Sequence, residues 1–383
     1  MATLVLSEIF PPRVGGSGRW LHEIYSRQQN EDYVIATGDH EAGAAFDESS
    51  PLNIKRLPLT MSAWGLRSLT GLKGYTSNFF KLRRICRDNN VDMIHCGRSL
   101  PEGWMAYLLR RFCGIPYVCF IHGEDVECAA ESRELKWMTS KVLQNAELLI
   151  ANSNFTGGRL KESWQVPDHQ LKILHPGCDT KRFQPLPQNH DQSAEKTETV
   201  LLTVGRLQRR KGHDVMIQAL PEIRKAVPNI RYNIVGGGEE RDSLATLAKE
   251  TGVEECVHFC DEITDDELTL HYQNCDLFAL PNRQIGGDVE GFGMVLVEAQ
   301  ACGRPVLAGA SGGTADTLIP NETGQRVDCQ DPKVLAATII EMLSDRQRLN
   351  QMGINGREFV TSTFDWDILA KNAEDVFAHV KQS

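Results

Sequence analysis

Nowhere in the 383 residues do about eighteen apolar residues follow one another, which excludes a membrane-spanning helix of the ordinary kind. There is no C-x-x-C pair and no paired metal-ligand spacing. The eleven cysteines are scattered singly, with Cys256 and Cys260 the closest, and they read as reduced core residues. Basic charge is not in excess: 41 Lys and Arg against 51 Asp and Glu leave a net charge of -10, which speaks against general nucleic-acid binding. Met1 to Ser7 runs directly into an apolar strand pattern with no basic region or cleavage site, so a cytoplasmic protein is expected. What remains is ordinary soluble composition, 41% hydrophobic and 24% charged, in a chain long enough for two α/β domains.

Short apolar runs alternate with helical patterns. Thr3–Leu6, Tyr33–Ala36, Met93–His95, Tyr117–Ile121, Leu148–Ala151 and Lys172–Leu174 read as strands of a parallel sheet with crossover helices. The rhythm breaks at Gln184–Thr199, a polar stretch with two prolines, which reads as the interdomain linker. A second round follows, with strands at Val200–Val204, Tyr232–Val235, Val257–Phe259, Leu277–Leu280 and Pro305–Leu307. Helices are expected near His213–Ala226, Glu239–Thr251, Asp265–Asn274, Met294–Ala301 and Pro332–Ser344. The expected domains are residues 1–187 and 196–363, with a C-terminal helix over 364–383 packing back on the first.

Ligands of open α/β sheets bind beyond the carboxyl ends of the strands, so the segments that follow strands carry the chemistry. Pro11-Pro12-Arg13-Val14-Gly15-Gly16-Ser17-Gly18 follows the first strand; it lacks the lysine of a P-loop and the full dinucleotide fingerprint, and reads equally as a structural turn. His122-Gly123 closes the strand before it and places an imidazole at the sheet edge. His175-Pro176-Gly177 reads as a turn that feeds the hinge. Gly205 to Gly212 holds Arg206, Arg209, Arg210 and Lys211 in one short loop, a candidate diphosphate clamp. Glu290-Gly291-Phe292-Gly293-Met294 opens a helix whose N-terminal amides suit a phosphate, and Glu290 and Glu298 are acceptor-only groups suited to sugar hydroxyls. Asp365-Trp366-Asp367 has a metal-binding spacing but reads better as the start of a C-terminal helix.

In their order, Gly15-Gly16, His122-Gly123, Arg206 with Lys211-Gly212, and Glu290 with Glu298 resemble the family 4 retaining glycosyltransferases of the GT-B fold. The match is close in Asp288 to Gly303 and in Phe10 to Gly16, and looks most like GDP-mannose-dependent α-mannosyltransferases of the phosphatidylinositol mannosyltransferase type. The resemblance implies two facing Rossmann-like doubly wound domains, an interdomain cleft and a C-terminal crossover helix. It implies a hexose, foremost mannose from GDP-mannose, moved with retention by front-face substitution, without metal or other cofactor, to a glycan, lipid-linked or small-molecule acceptor. Arg206 and Lys211 would neutralise the diphosphate and stabilise the departing nucleotide, and Glu298 would bind the ribose. Glu290 would hold the transferred sugar with the amides of Gly291, Phe292, Gly293 and Met294 assisting. Gly16 would approach the diphosphate and His122 the reacting carbon. Two positions depart from the pattern: Asp261, where glycine is common, and Thr314-Ala315-Asp316 after the paired glycines.

Leu66–Arg87 sets six cations among Trp64, Leu69, Leu72, Phe79 and Phe80, which reads either as an amphipathic helix on a sheet or as peripheral contact with the inner face of a membrane through 64–87. A UDP-glucose or other nucleotide-sugar donor, a phosphorylase or epimerase on the same architecture, and a nucleotide-sugar-binding protein without turnover stay open as alternatives.

Overall fold

Apolar runs one helix apart are best accommodated as parallel strands joined by crossover helices that cover both faces of the sheet, and the chain adopts this arrangement twice. The structure, a computed structural model, describes residues 2–28, 32–187, 198–261 and 263–382. It divides into two compact units, Met1–Pro176 with Trp366–Ser383, and Gly177–Asp365.

In the first unit β1 (Ala2–Ser7), β2 (Asp32–Gly38), β3 (Asn53–Leu57), β4 (Val91–Cys96), β5 (Tyr117–Ile121), β6 (Leu148–Ala151) and β7 (Leu171–Ile173) alternate with helices. These are α1 (Gly16–Tyr25), α2 (Gly43–Ser49), α3 (Leu69–Asp88), α4 (Trp104–Cys113), α5 (Glu124–Ala130), α6 (Arg133–Asn145) and α7 (Asn154–Trp164). All strands are parallel in the order β3-β2-β1-β4-β5-β6-β7. The order reverses between β1 and β4, and the crevice beyond their carboxyl ends is the usual ligand position in such sheets.

The second unit repeats the plan with β8 (Thr199–Val204), β9 (Ile230–Val235), β10 (Val257–Phe259), β11 (Leu277–Leu280), β12 (Val306–Gly309) and β13 (Gly324–Val327). Its helices are α8 (His213–Ala226), α9 (Arg241–Glu250), α10 (Asp265–Asn274), α11 (Met294–Ala301), α12 (Pro332–Ser344) and α13 (Arg346–Thr363). The sheet runs β10-β9-β8-β11-β12-β13, all parallel, and reverses between β8 and β11.

The final helix, α14 (Trp366–Gln382), belongs to the first unit although it follows the second in sequence. Trp366, Leu369, Ala370, Ala373 and Phe377 form its buried stripe at helical spacing. Phe377 stacks on Tyr25 of α1, ring centroids 5.8 Å apart, and meets His95 of β4 at 4.5 Å.

The unit boundary falls at 176/177, inside the turn around His175, and not near 187. Residues beyond it are built into the second core: Cys178 and Phe183 are fully buried there, Phe183 packs edge-on to Tyr272, and Cys178 N–H donates to Phe364 O at 2.9 Å. Of the expected linker, residues 188–197 lie outside the described ones. Asp365 and Asp367 are engaged with protein partners, Asp365 with Thr180 Oγ1 and Asp367 with Arg27 Nε at 2.9 Å.

Candidate functional site

The β8/β11 reversal brings together the two segments of the second unit that carry the candidate charges. The loop after β8 ends in a single 3-10 turn, Arg209–Lys211, followed by Gly212 at φ 77, where a Cβ would run into the Pro281 carbonyl. Only glycine lets this loop abut the segment after β11 so closely. Arg283 ties the two from the other side: its N–H donates to Arg210 O at 2.8 Å, and its guanidinium bonds both carboxylate oxygens of Asp214 at 2.9 and 2.6 Å.

Across this contact Lys211 Nζ lies 2.5 Å and Arg210 Nη1 2.6 Å from the same oxygen, Glu290 Oε2, and Arg210 Nε reaches Asp288 at 2.9 Å. Both cations bond one oxygen, so the carboxylate keeps acceptor capacity on the other. Burial opposes the Glu290 charge, but Lys211 and Arg210 outweigh it and hold its pKa at about 2. The Lys211 ammonium is pushed below its ordinary value, first by burial and then by Arg210 and Arg206, which the single carboxylate does not fully offset. The cluster therefore favours a further anion beside Lys211. Arg206 is exposed, and no carboxylate among the described residues pairs with it.

The Glu290 backbone is clamped by the loop after β12. Gly313 N–H donates to Glu290 O at 2.8 Å, and Gly312, at φ 70, packs so tightly on that carbonyl that a Cβ would overlap it. Gly291 and Gly293 then lead into α11, whose remaining residues Leu296–Ala301 are all buried. The Phe292 ring lies in the core against Phe364, so only its amide can serve a ligand. Glu298 is the one carboxylate on this apolar helix, and Tyr272 OH donates to its Oε2 at 2.7 Å. A charge kept in such a helix costs stability unless it is bonded, and a hydroxyl partner meets that requirement.

In the first unit the glycine-rich turn divides in two. Gly18 is buried with no room for a Cβ beside the Ile9 carbonyl, a packing role, whereas Gly16 is exposed at the first position of α1. His122 follows β5, and its Nε2 lies 2.6 Å from Gly97 O. A carbonyl only accepts, so Nε2 carries the proton of this bond. Asp125 fixes the loops on both sides, accepting from His122 N–H at 3.0 Å and Ser99 N–H at 3.1 Å. Beside them Arg98 joins Glu8 at 2.5 Å and the fully buried Glu102 at 2.9 Å.

Two family models divide the chain between them: Glycosyltransferase Family 4 matches residues 14–182, and Glycosyl transferases group 1 matches residues 187–359. A GDP-mannose-dependent alpha-(1-6)-phosphatidylinositol monomannoside mannosyltransferase from Mycobacterium tuberculosis is 30% identical, with 97% of each chain covered. The chain belongs to the family 4 glycosyltransferases. A GDP-mannose-dependent monoacylated alpha-(1-6)-phosphatidylinositol monomannoside mannosyltransferase from Corynebacterium glutamicum is 31% identical over 98% of this chain and 97% of its own. A sucrose-phosphate synthase from Thermosynechococcus elongatus, 23% identical and covered fully in both directions, shares the fold with a TM-score of 0.83. The fold of this glycosyltransferase is thus GT-B, two Rossmann-like units with parallel sheets.

Three members of the candidate site had no individual role in the sequence reading: Arg210, which was only one of four cations in the clamp loop, Asp288 as its anchor, and Tyr272 as the partner of Glu298. The signal for Arg210 was its place beside Lys211; nothing in the spacing marks Tyr272. Asp261, one of the two positions that depart from the expected pattern, has φ 46, and its carbonyl accepts from Gly236 N–H at 2.8 Å. Aspartate tolerates this left-handed conformation better than most side chains, so the turn that glycine would make is retained. Among the described residues no group of three or more His, Cys, Asp and Glu side chains could hold a metal ion.

Proposed function

We propose that this glycosyltransferase moves mannose from GDP-mannose to a lipid-linked acceptor with retention at the anomeric carbon. The observation that carries the reading is the Lys211–Glu290–Arg210 cluster at the β8/β11 reversal, with Glu298 on the helix that follows. Lys211 and Arg206 answer the diphosphate, Glu290 takes hydroxyls of the sugar together with the amides of Gly291–Met294, and Glu298 takes the ribose. The bond from the anomeric carbon to the phosphate oxygen breaks while the acceptor oxygen bonds the same face, and the acceptor proton passes to the departing phosphate. Charge on that leaving group is the main barrier, which preorganised cations lower without a divalent ion. The donor follows from the relatives, both of which are named as GDP-mannose-dependent.

The lipid side of the reading rests on α3, α4 and α6 of the first unit. Leu69, Phe80, Phe112 and Trp137 are 85%, 60%, 68% and 50% exposed on these helices. Phe79 links α3 to α4 by an edge contact with Phe112, and Trp104 joins α4 to Trp137 of α6. The same helices carry Lys73, Lys81, Arg83, Arg84 and Arg87 on α3 and Arg110 and Arg111 on α4, of which Arg84 and Arg87 pair with Asp88 and Arg110 with Glu147, in a protein whose net charge is -10. Apolar anchors among cations suit an anionic bilayer.

The test is sugar transfer from a panel of GDP-, UDP- and ADP-sugars to phosphoinositide and polyprenol acceptors carried in anionic or neutral vesicles. GDP-mannose should be preferred, the product linkage should be α, and EDTA should leave the rate unchanged. The protein should float with anionic vesicles and be released by salt. A β-linked product, a strict metal requirement or a preference for another donor would each overturn the corresponding part.

A further inference from the structure

Resting on the function just proposed, one tension in the geometry concerns Lys211. The ammonium expected at the diphosphate is already 2.5 Å from Glu290. If it were the sole counter-ion of that buried carboxylate, donor binding would divide its charge between sugar-side and phosphate-side duties. Arg210 removes the conflict. It lies as close to the same oxygen, and Asp288 and the Arg283 N–H fix it from its other sides.

We infer that Arg210 is a positioning residue, which holds the Glu290 carboxylate aimed and charge-compensated so that Lys211 is available to the diphosphate. The charged groups around Glu290 are few. The loop after β8 supplies Arg210 and Lys211, with Arg206 acting on Lys211, and α8 adds His213 near Lys211 and Asp214, which is occupied by Arg283. Its own loop supplies Asp288, through Arg210. The loop after β12 presents an amide, from Gly313.

The test is Arg210→Gln and Arg210→Lys in the full chain, with Glu290→Gln as background. Arg210→Gln should lower kcat/KM for GDP-mannose about tenfold or more, mainly through KM, as expected when a group that binds the sugar hydroxyls equally in the ground and transition states loses its position. The acid limb of its pH profile should move up by about one unit, because Glu290 loses one of two stabilising charges. Arg210→Lys should restore much of both. In the Glu290→Gln background, Arg210→Gln should add little. A loss of activity with an unmoved acid limb, or the same loss in both backgrounds, would overturn the inference.

A readout independent of catalysis separates this from the functional reading. Glu290's depressed pKa contributes stability that is complete above its unfolded value of 4.5 and lost as pH falls towards 2. The difference in denaturation midpoint between the unsubstituted protein and Arg210→Gln should therefore be full at pH 7 and shrink below about pH 4.5. Should no nucleotide sugar be turned over, this shrinkage still decides for Arg210, and a constant gap decides against it. If Arg210→Gln does not fold, Arg210→Lys, which keeps the charge but not the guanidinium's bonds to both Glu290 and Asp288, should shift the acid limb in the same direction by less. An unmoved limb there counts against the inference equally.

Discussion

Glu298 is the residue on which the nucleoside assignment turns. It is buried on an otherwise apolar helix, and Tyr272 gives it one bond. Glu298→Gln keeps the shape but removes the charge that strengthens bonds from hydroxyls, and should weaken GDP affinity by about 1 to 3 kcal/mol. Titration calorimetry with GDP would measure it, and an affinity within about twofold of the unsubstituted protein would remove Glu298 from the nucleoside. In the sequence Glu290 and Glu298 stand out by their type and spacing around a turn leading into a helix, and Lys211 as one of four cations in a loop after a strand. Which of the clamp-loop cations faces Glu290 was not legible, since Arg209, Arg210 and Lys211 are consecutive cations without periodicity. Only the 3-10 turn decides that Arg209 points to solvent while its two neighbours are buried.

The helices α8, α10, α11 and α12 were legible to within a residue or two, α8 from its amphipathic spacing and α11 from a nearly unbroken apolar run. The edge strands β3 and β13 were not, because Lys55 and Arg56 in one and Gly324, Gln325 and Arg326 in the other dilute the strand pattern. The helix α13 also escaped. Its polar sequence hides a contact face made of small residues, where Gly353 lies on the Gly303 carbonyl and Gly356 on the Gln300 side chain. That face holds α13 against α11, the helix carrying Glu298. Gly353→Ala would force the two apart, since a Cβ there would overlap Gly303 O. It should cost about 1 to 3 kcal/mol in urea denaturation and weaken GDP binding along with stability. Lost stability with unchanged GDP affinity would show that α11 keeps its position without α13.

At the scale of the whole molecule, sequence order and structural membership diverge. The breaks between units lie at 176/177 and 365/366, and α14 completes the first unit from the far end of the chain. The periodicity of α14 could be read, but its packing against α1 and β4 is a long-range contact that only the family pattern suggested. A fragment of residues 1–187 would expose the faces of Tyr25 and His95 now covered by Phe377, and would carry Cys178 and Phe183 away from their core. Phe377→Ala alone should cost about 3 to 5 kcal/mol, a large share of what a domain has. Fragment 1–187 is therefore expected to lack a cooperative melt. Residues 1–176 joined to 366–383 by a short glycine-serine linker should regain one, because the two crossings run side by side, with Cys178 N–H bonded to Phe364 O. Circular dichroism melts of both fragments decide the matter. Cooperative unfolding of fragment 1–187 at a temperature equal to that of the joined fragment would make α14 an accessory rather than part of the first core.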